Sequence, residues 1–187
     1  MGRWEPGAGG RLREAALALY LEHGFEQTMV ADIAERAGVT ARTFFRHFAD
    51  KREVLFDGAA ELTEASLAAL DAAPATASTL EVVAAALDAV AGLIGQDREL
   101  VLTRHAVIMA HAELRERELI KLAEMTTALA DGLRRRGIGD TEATLAAETG
   151  AAVYRVAFQH WADADDLELR DAIRRSFDQL RALTATP

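Results

Sequence analysis

The sequence predicts an all-α protein, on three observations. Alanine and leucine recur throughout, while only 3 prolines and 13 glycines interrupt the 187 residues, a bias towards helices and away from turn-rich sheets. Apolar residues return at helical spacing in one segment after another, and no stretch alternates as a half-buried strand does. Half of the chain is apolar and 27% is charged, enough to bury a core and unlike a disordered chain.

Residues 1–9 read as a flexible arm. Its glycines, Gly7-Ala-Gly-Gly10, follow no strand, which argues against a phosphate-binding loop. Leu12, Ala15, Ala16, Leu19 and His23 then share a helical face that Gly24 stops. Thr28 is placed to cap a short helix from Met29 to Ala37, and Thr40 a second from Ala41 to about Phe48. Asp50-Lys-Arg-Glu53 resembles a capping box and predicts a long helix with Leu55, Ala59, Leu62, Ser66 and Leu70 on one face, closed near Pro74. Ser78-Thr-Leu-Glu81 is a full capping box for a helix to about Gly95. Four more helices follow, over about Arg98 to Ala112, Glu113 to Arg136, Asp140 to Ala162 and Asp165 to Leu183, making about nine in all. Leu122, Met125, Leu129 and Leu133 line the second of these four, and its terminal arginines suit the helix dipole before Gly137 ends it.

The net charge of −9 is unevenly spread: residues 1–56 are close to neutral, and the remainder carries nearly all of it. Such a head can touch an anion while the rest of the chain is repelled, so that one end of the molecule docks. With no cysteine, disulfides, thiol catalysis and cysteine-ligated metals are excluded. The start lacks the apolar core of a signal peptide, and no apolar run reaches the ~18 residues of a membrane span. The expectation is a soluble, cytoplasmic protein with no membrane partner.

The information is concentrated in residues 28–48. Two short helices joined by Ala37-Gly38-Val39 have the layout of a helix-turn-helix, whose second helix enters the major groove. Gly38 supplies the residue tolerant of positive φ, and Ile33, Ala34, Val39 and Phe44 are apolar where the helices must pack. The second helix then exposes Ala41, Arg42 and Thr43 and, one turn on, Arg46 and His47, as donors for phosphates and base edges.

The run from Thr28 through Ala-Asp-Ile-Ala-Glu-Arg-Ala-Gly-Val-Thr-Ala-Arg-Thr-Phe-Phe-Arg-His-Phe to Lys51 resembles the DNA-binding region of the TetR family of bacterial transcriptional regulators. The resemblance begins near Arg11 and ends near Phe56, about a quarter of the chain. It implies a three-helix DNA-binding domain over 10–56 and a helical effector-binding and dimerisation domain over 57–187. It further implies that Thr28, Thr43, His47 and Lys51 hold phosphates, that Ala41 and Arg42 face bases, and that Thr40 caps the recognition helix beside the backbone. Phe45 stands where the family usually has tyrosine; it keeps the apolar contact and loses a phosphate hydrogen bond of ~1 kcal/mol.

In the C-terminal half, Ala147, Ala151, Tyr154, Phe158 and Trp161 step by 4, 3, 4 and 3 along one helix, and Leu169, Ile173, Phe177 and Leu180 along the next. With Gly150 allowing close approach, Ala147, Gly150, Ala151, Tyr154, Phe158, Trp161, Ile173, Phe177 and Leu180 are the expected homodimer face. A dimer would read a palindromic double-stranded operator. Arg104, His105, Ile108, Met109, Met125 and Phe158 are candidates to line a site for a small apolar or amphipathic effector, acyl-CoA-like by faint resemblance to some relatives. His105 and His111 are six apart and face differently, so no shared metal site is expected, and no cofactor is implied. There is no nucleophile–base pair or catalytic motif, so an enzyme is not expected. The function predicted is a sequence-specific regulator, a repressor released by its ligand. The alternative is a helical ligand-binding or protein-interaction module that has lost specific DNA binding.

Overall fold

Helices account for most of residues 7–184, the part of the chain that the computed structural model describes. There are nine α-helices and one 3-10 turn, with no strand among the described residues. They divide into two units, a head of 7–58 together with 103–118 and a body of 59–102 together with 119–184. No single helix among the described residues is long and apolar enough to cross a membrane.

The head contains α1 (Ala8–His23), α2 (Val30–Arg36), α3 (Ala41–His47) and the 3-10 turn Glu53–Phe56. α1 starts two residues earlier than the arm of 1–9 allows: Ala8 and Gly9 are helical, and the Arg11 amide donates to the Gly7 carbonyl at 3.1 Å. Arg11 is held further by Nε donating to the Ala37 carbonyl at 3.2 Å, which draws the first turn into the fold. Residues 1–6 of the expected arm lie outside the described residues. Leu12, Phe25, Ile33 and Phe44 are fully buried together, and the same core takes Val107, Ile108 and Leu114. The head is therefore discontinuous in sequence, a feature that local motifs do not carry.

The long helix expected from Asp50 does not form. Asp50 does begin a turn, its Oδ1 accepting from the amides of Arg52 at 2.7 Å and Glu53 at 3.3 Å. But Val54, Leu55 and Phe56 are all buried, and three consecutive residues cannot share one face of an α-helix. The chain turns as a 3-10 segment instead and breaks at Gly58, whose φ of +95° suits glycine. Only then does α4 (Ala59–Ala72) begin.

The body holds α4, α5 (Thr79–Ile94), the first turn of α6 (Arg98–Ala110), most of α7 (Ala112–Arg135), α8 (Asp140–Asp163) and α9 (Leu169–Thr184). Ser78 and Glu81 form the predicted capping box of α5. α5 is apolar around much of its circumference and is covered by α4, α8 and α9. That covering takes up much of the expected dimer face. Ala147, Gly150, Trp161, Ile173 and Phe177 are buried within one chain, and Tyr154, Phe158 and Leu180 pack half-buried on the same core. Ala151 is half-buried and lines an internal cavity. Gly150 serves an internal approach: a Cβ there would lie 2.7 Å from Val83 Cγ1.

Candidate nucleic-acid interface and body cavity

α3 is built to leave one side free. Gly38, at φ +66°, lets its own amide reach the Glu35 carbonyl (3.0 Å) and the Val39 amide reach that of Ala34 (2.9 Å), closing α2. The chain then turns into Thr40, whose hydroxyl accepts from the Thr43 amide at 3.2 Å, the predicted cap. Phe44 points inward with no exposed surface, worth about 1.5–3 kcal/mol of burial, and fixes the rotation of the helix. Ala41, Arg42, Arg46 and His47 are left exposed, together with Phe45 at 58%. Arg42, Thr43, Phe45 and Arg46 line one shallow, open recess. Among the described residues no hydrogen bond or ion pair holds either guanidinium. Two unpaired cations flank an exposed aromatic, a surface that suits an anionic, stackable polymer.

Four of the expected contacts stand around this face. Ala41 and Arg42 sit on its first turn, Thr43 shares its hydroxyl with that of Thr40 at 3.1 Å, and His47 closes the helix beside Gly9. Two others are spent elsewhere. Thr28 does not cap α2; Met29 holds that position, its amide donating to Asp32 Oδ2 at 2.9 Å. Thr28 is 2% exposed, and its hydroxyl donates to the carbonyls of Gly24 (2.9 Å) and Leu19 (3.3 Å). Lys51 is half-buried with its ammonium on three main-chain carbonyls. Both side chains were expected on phosphates, and both are turned inward because the loop between α1 and α2 would otherwise bury unsatisfied groups. Nearby, burial and then the Asp50 charge hold the Tyr20 hydroxyl protonated well above its usual range.

The six residues expected to line an effector site divide between the two units. Arg104 stacks on Phe56, donates to the Leu55 carbonyl and pairs with Glu118 at 2.7 Å, while Arg117 pairs with Glu53 at 2.7 Å, all inside the head. Ile108 is core of that unit and Met109 is exposed. His105 is half-buried, and its pKa is lowered, first by burial and then by Arg104, against the pull of Glu118. Met125 and Phe158 belong to the body. Phe158 packs between Tyr154 and Trp161. Met125 alone of the six faces the body cavity, with Leu87, Leu122, Leu129, Tyr154 and two hydroxyl residues, Ser66 and Thr126. That cavity measures about 10 Å³, room for one water. Sequence reasoning missed Ser66 and Thr126 as lining because a lone hydroxyl residue carries no periodic signal. No cluster of metal-ligating side chains occurs among the described residues.

A family profile described as bacterial regulatory proteins, tetR family, matches residues 12–57, and one described as MftR C-terminal domain matches residues 77–185. The HTH-type transcriptional regulator TcmR of Streptomyces glaucescens is 36% identical over 185 residues, covering 91% of this chain and 81% of TcmR. Among solved structures, FadR of Bacillus subtilis in complex with stearoyl-CoA is similar in fold at a TM-score of 0.65 and 20% identity, over 91% of this chain and 96% of that one. FadR of Thermus thermophilus, a TetR-family repressor in complex with lauroyl-CoA, is similar at a TM-score of 0.58 and 21% identity, over 96% of each chain.

Proposed function

The chain belongs to the TetR family of bacterial transcriptional regulators, and from that premise we propose that it is a homodimeric repressor of a palindromic operator, released by a small apolar or amphipathic ligand. The observation that carries the reading is the free face of α3, where Arg42 and Arg46 stand beside Phe45 without a partner among the described residues. One recognition helix reads a few base pairs, so a specific operator calls for two copies related by a twofold axis. With the aromatic stripe internal, the face offered to a second copy is the other side of α8. Leu145 at 63% exposure, Ala152, and Val156 at 50% stand at steps of seven and four along it.

The ligand reading rests on the body cavity. Its lining is mainly apolar, with Ser66, Thr126 and Tyr154 as the residues that carry hydroxyls, a composition that suits an uncharged end of a ligand. A long acyl chain, such as those bound by the two FadR proteins, needs far more than one water's volume. Binding must therefore part α7 from α8, and a ligand that prefers the opened body shifts the population away from the closed one.

The test is a selection of genomic fragments by the purified protein, followed by anisotropy titration of the winner against a random duplex. The expected result is tight, salt-dependent binding to an inverted repeat, a dimer by sedimentation, and release by one of a series of acyl-CoA esters and neutral apolar compounds. A chain with no salt-sensitive affinity for any duplex would instead be the ligand-binding module without a DNA partner. Specific binding by a monomer would remove the dimer and the palindrome from the proposal.

A further inference from the structure

We infer that the Ser66 hydroxyl is the polar anchor of the body cavity and donates to the carbonyl oxygen of an uncharged apolar ligand. The inference rests on the reading that this cavity takes the effector, and it names the chemistry of that effector. Leu62, Ser66 and Leu70 step by four along α4, so a serine stands on the helix's inward, apolar side. It is 3% exposed. Burying a hydroxyl there is unfavourable unless something bonds it.

The other buried serine and threonine side chains are bonded inside the fold. Thr28 donates to the carbonyls of Gly24 and Leu19, and Ser176 to that of Ala172 at 2.9 Å. Within a helix the usual outlet for such a hydroxyl is the carbonyl four residues back. Thr63 takes it on α4 itself, donating to Ala59 at 2.9 Å, and Thr126, which lines the same cavity, donates to Leu122 at 2.8 Å. Ser66 does neither: its hydroxyl has no hydrogen bond among the described residues. Nor is its oxygen sealed in, because the unpartnered side-chain atom without accessible surface among those residues is Arg98 Nη1. The surface that Ser66 keeps therefore includes its oxygen, and Ser66 lines the cavity.

An oxygen can leave a lone pair unused, whereas a buried donor without an acceptor is rare in folded proteins. The group that Ser66 awaits is thus an acceptor. Its charge is set by the rest of the lining. Ser66, Leu87, Leu122, Met125, Thr126, Leu129, Ala147, Ala151 and Tyr154 include no charged side chain. A carboxylate entering among them would lose its hydration and find no counter-charge. A ketone, ester or amide carbonyl on an apolar frame meets both conditions.

The test is the thermal midpoint of the full-length protein, wild type and Ser66→Ala, titrated with acetophenone, cumene or benzoate. Each shift gives a dissociation constant by linkage. Cumene has the bulk of acetophenone without its oxygen, and benzoate carries oxygen as part of a charge. Ser66→Ala should bind acetophenone about tenfold more weakly, as expected for one lost buried hydrogen bond, and bind cumene as the wild type does. Benzoate should stabilise neither protein. Without a probe the midpoint of Ser66→Ala should not fall, because the hydroxyl has no partner within the chain to lose. A lowered midpoint, or a variant that does not fold, would make Ser66 a structural hydrogen bond and overturn the inference. Acetophenone and cumene responding alike to the substitution would overturn it as well, as would benzoate binding as tightly as the ketone; in each case the cavity would still take ligands. A wild-type chain stabilised by none of the three would sink the effector reading of the cavity first, and this inference with it.

Discussion

In the head, α3 leaves Arg42 and Arg46 without a partner among the described residues and exposes Phe45 between them. In the body, several arginines are consumed by structure. Arg136 donates to four carbonyls at and beyond the end of α4. Arg134 pairs with Asp131 and Asp140, and Arg98 lies over Trp161 at 4.7 Å while reaching the carbonyls of Ala162 and Ala164. The aromatic residues divide the same way, Phe45 outward on α3 and Trp161 inward on α8. The difference teaches where to look for function in a helical chain of this kind. Cations and rings that have no work to do inside the fold are the ones available to a partner, whatever their abundance elsewhere.

The strongest way to break this contrast is at Trp161. A core tryptophan truncated to alanine costs about 3–5 kcal/mol of stability, and with Trp161 at 2% exposure inside one chain the loss should not depend on protein concentration. Thermal melts of Trp161→Ala at several concentrations check this. A loss that vanished at high concentration would return Trp161 to the dimer face that its spacing first suggests.

The matching experiment on the head is Arg42→Ala. It should leave the melting temperature of the protein where it is, since Arg42 holds nothing, and weaken the preferred duplex by about 1–3 kcal/mol while relaxing sequence preference. Competition anisotropy against single-base variants of the selected operator reads it. Equal preference before and after would mean that another part of α3 faces the bases. Thr40→Ala should act more gently and on both quantities, removing about 1 kcal/mol of helix stability with the cap on Thr43. Urea unfolding of the head alongside the binding titration separates the two effects.

What was legible follows from how local each signal is. The caps at Thr40 and at Ser78 with Glu81, the Gly38 turn and the inward Phe44 are each written within a few residues, and the structure has them in place. Thr28 and Lys51 were legible as members of a motif, while the contacts they make inside the chain were not. Their partners are backbone carbonyls brought close only when α1, its loop and residue 51 are assembled. The aromatic stripe on α8 and α9 was read correctly as a buried face, but periodicity cannot say whether the cover belongs to the same chain. α5 settles that, because its own apolar circumference needs both helices. The effector residues divide between the two units for a related reason. Arg104, His105, Ile108 and Met109 lie near Met125 and Phe158 in sequence order of elements, yet 103–118 is built into the head.

The smallest effect expected of the comparison lies in that inserted corner, at His105. Burial lowers its pKa below the ordinary value of 6.5, with Arg104 adding to the shift and Glu118 opposing it. The native head therefore refuses a proton that the unfolded chain accepts as the pH falls through about 6.5. The unfolded state binds more protons in that window, so stability rises with pH across it. The contribution is fully present above the ordinary histidine value and is lost as the pH drops towards the lowered one. The carboxylates held down by partners, Glu22 by Arg36, Asp50 by Arg52 and Glu81 by the Ser78 amide and hydroxyl, lose their contribution only at lower pH, below the ordinary carboxylate range. The two windows are separable in one titration of the unfolding midpoint. His105→Gln should remove the part of the decline that lies above the carboxylate window and leave the acid limb intact. A decline unchanged by the substitution would mean that the head's corner does not exclude the charged imidazole.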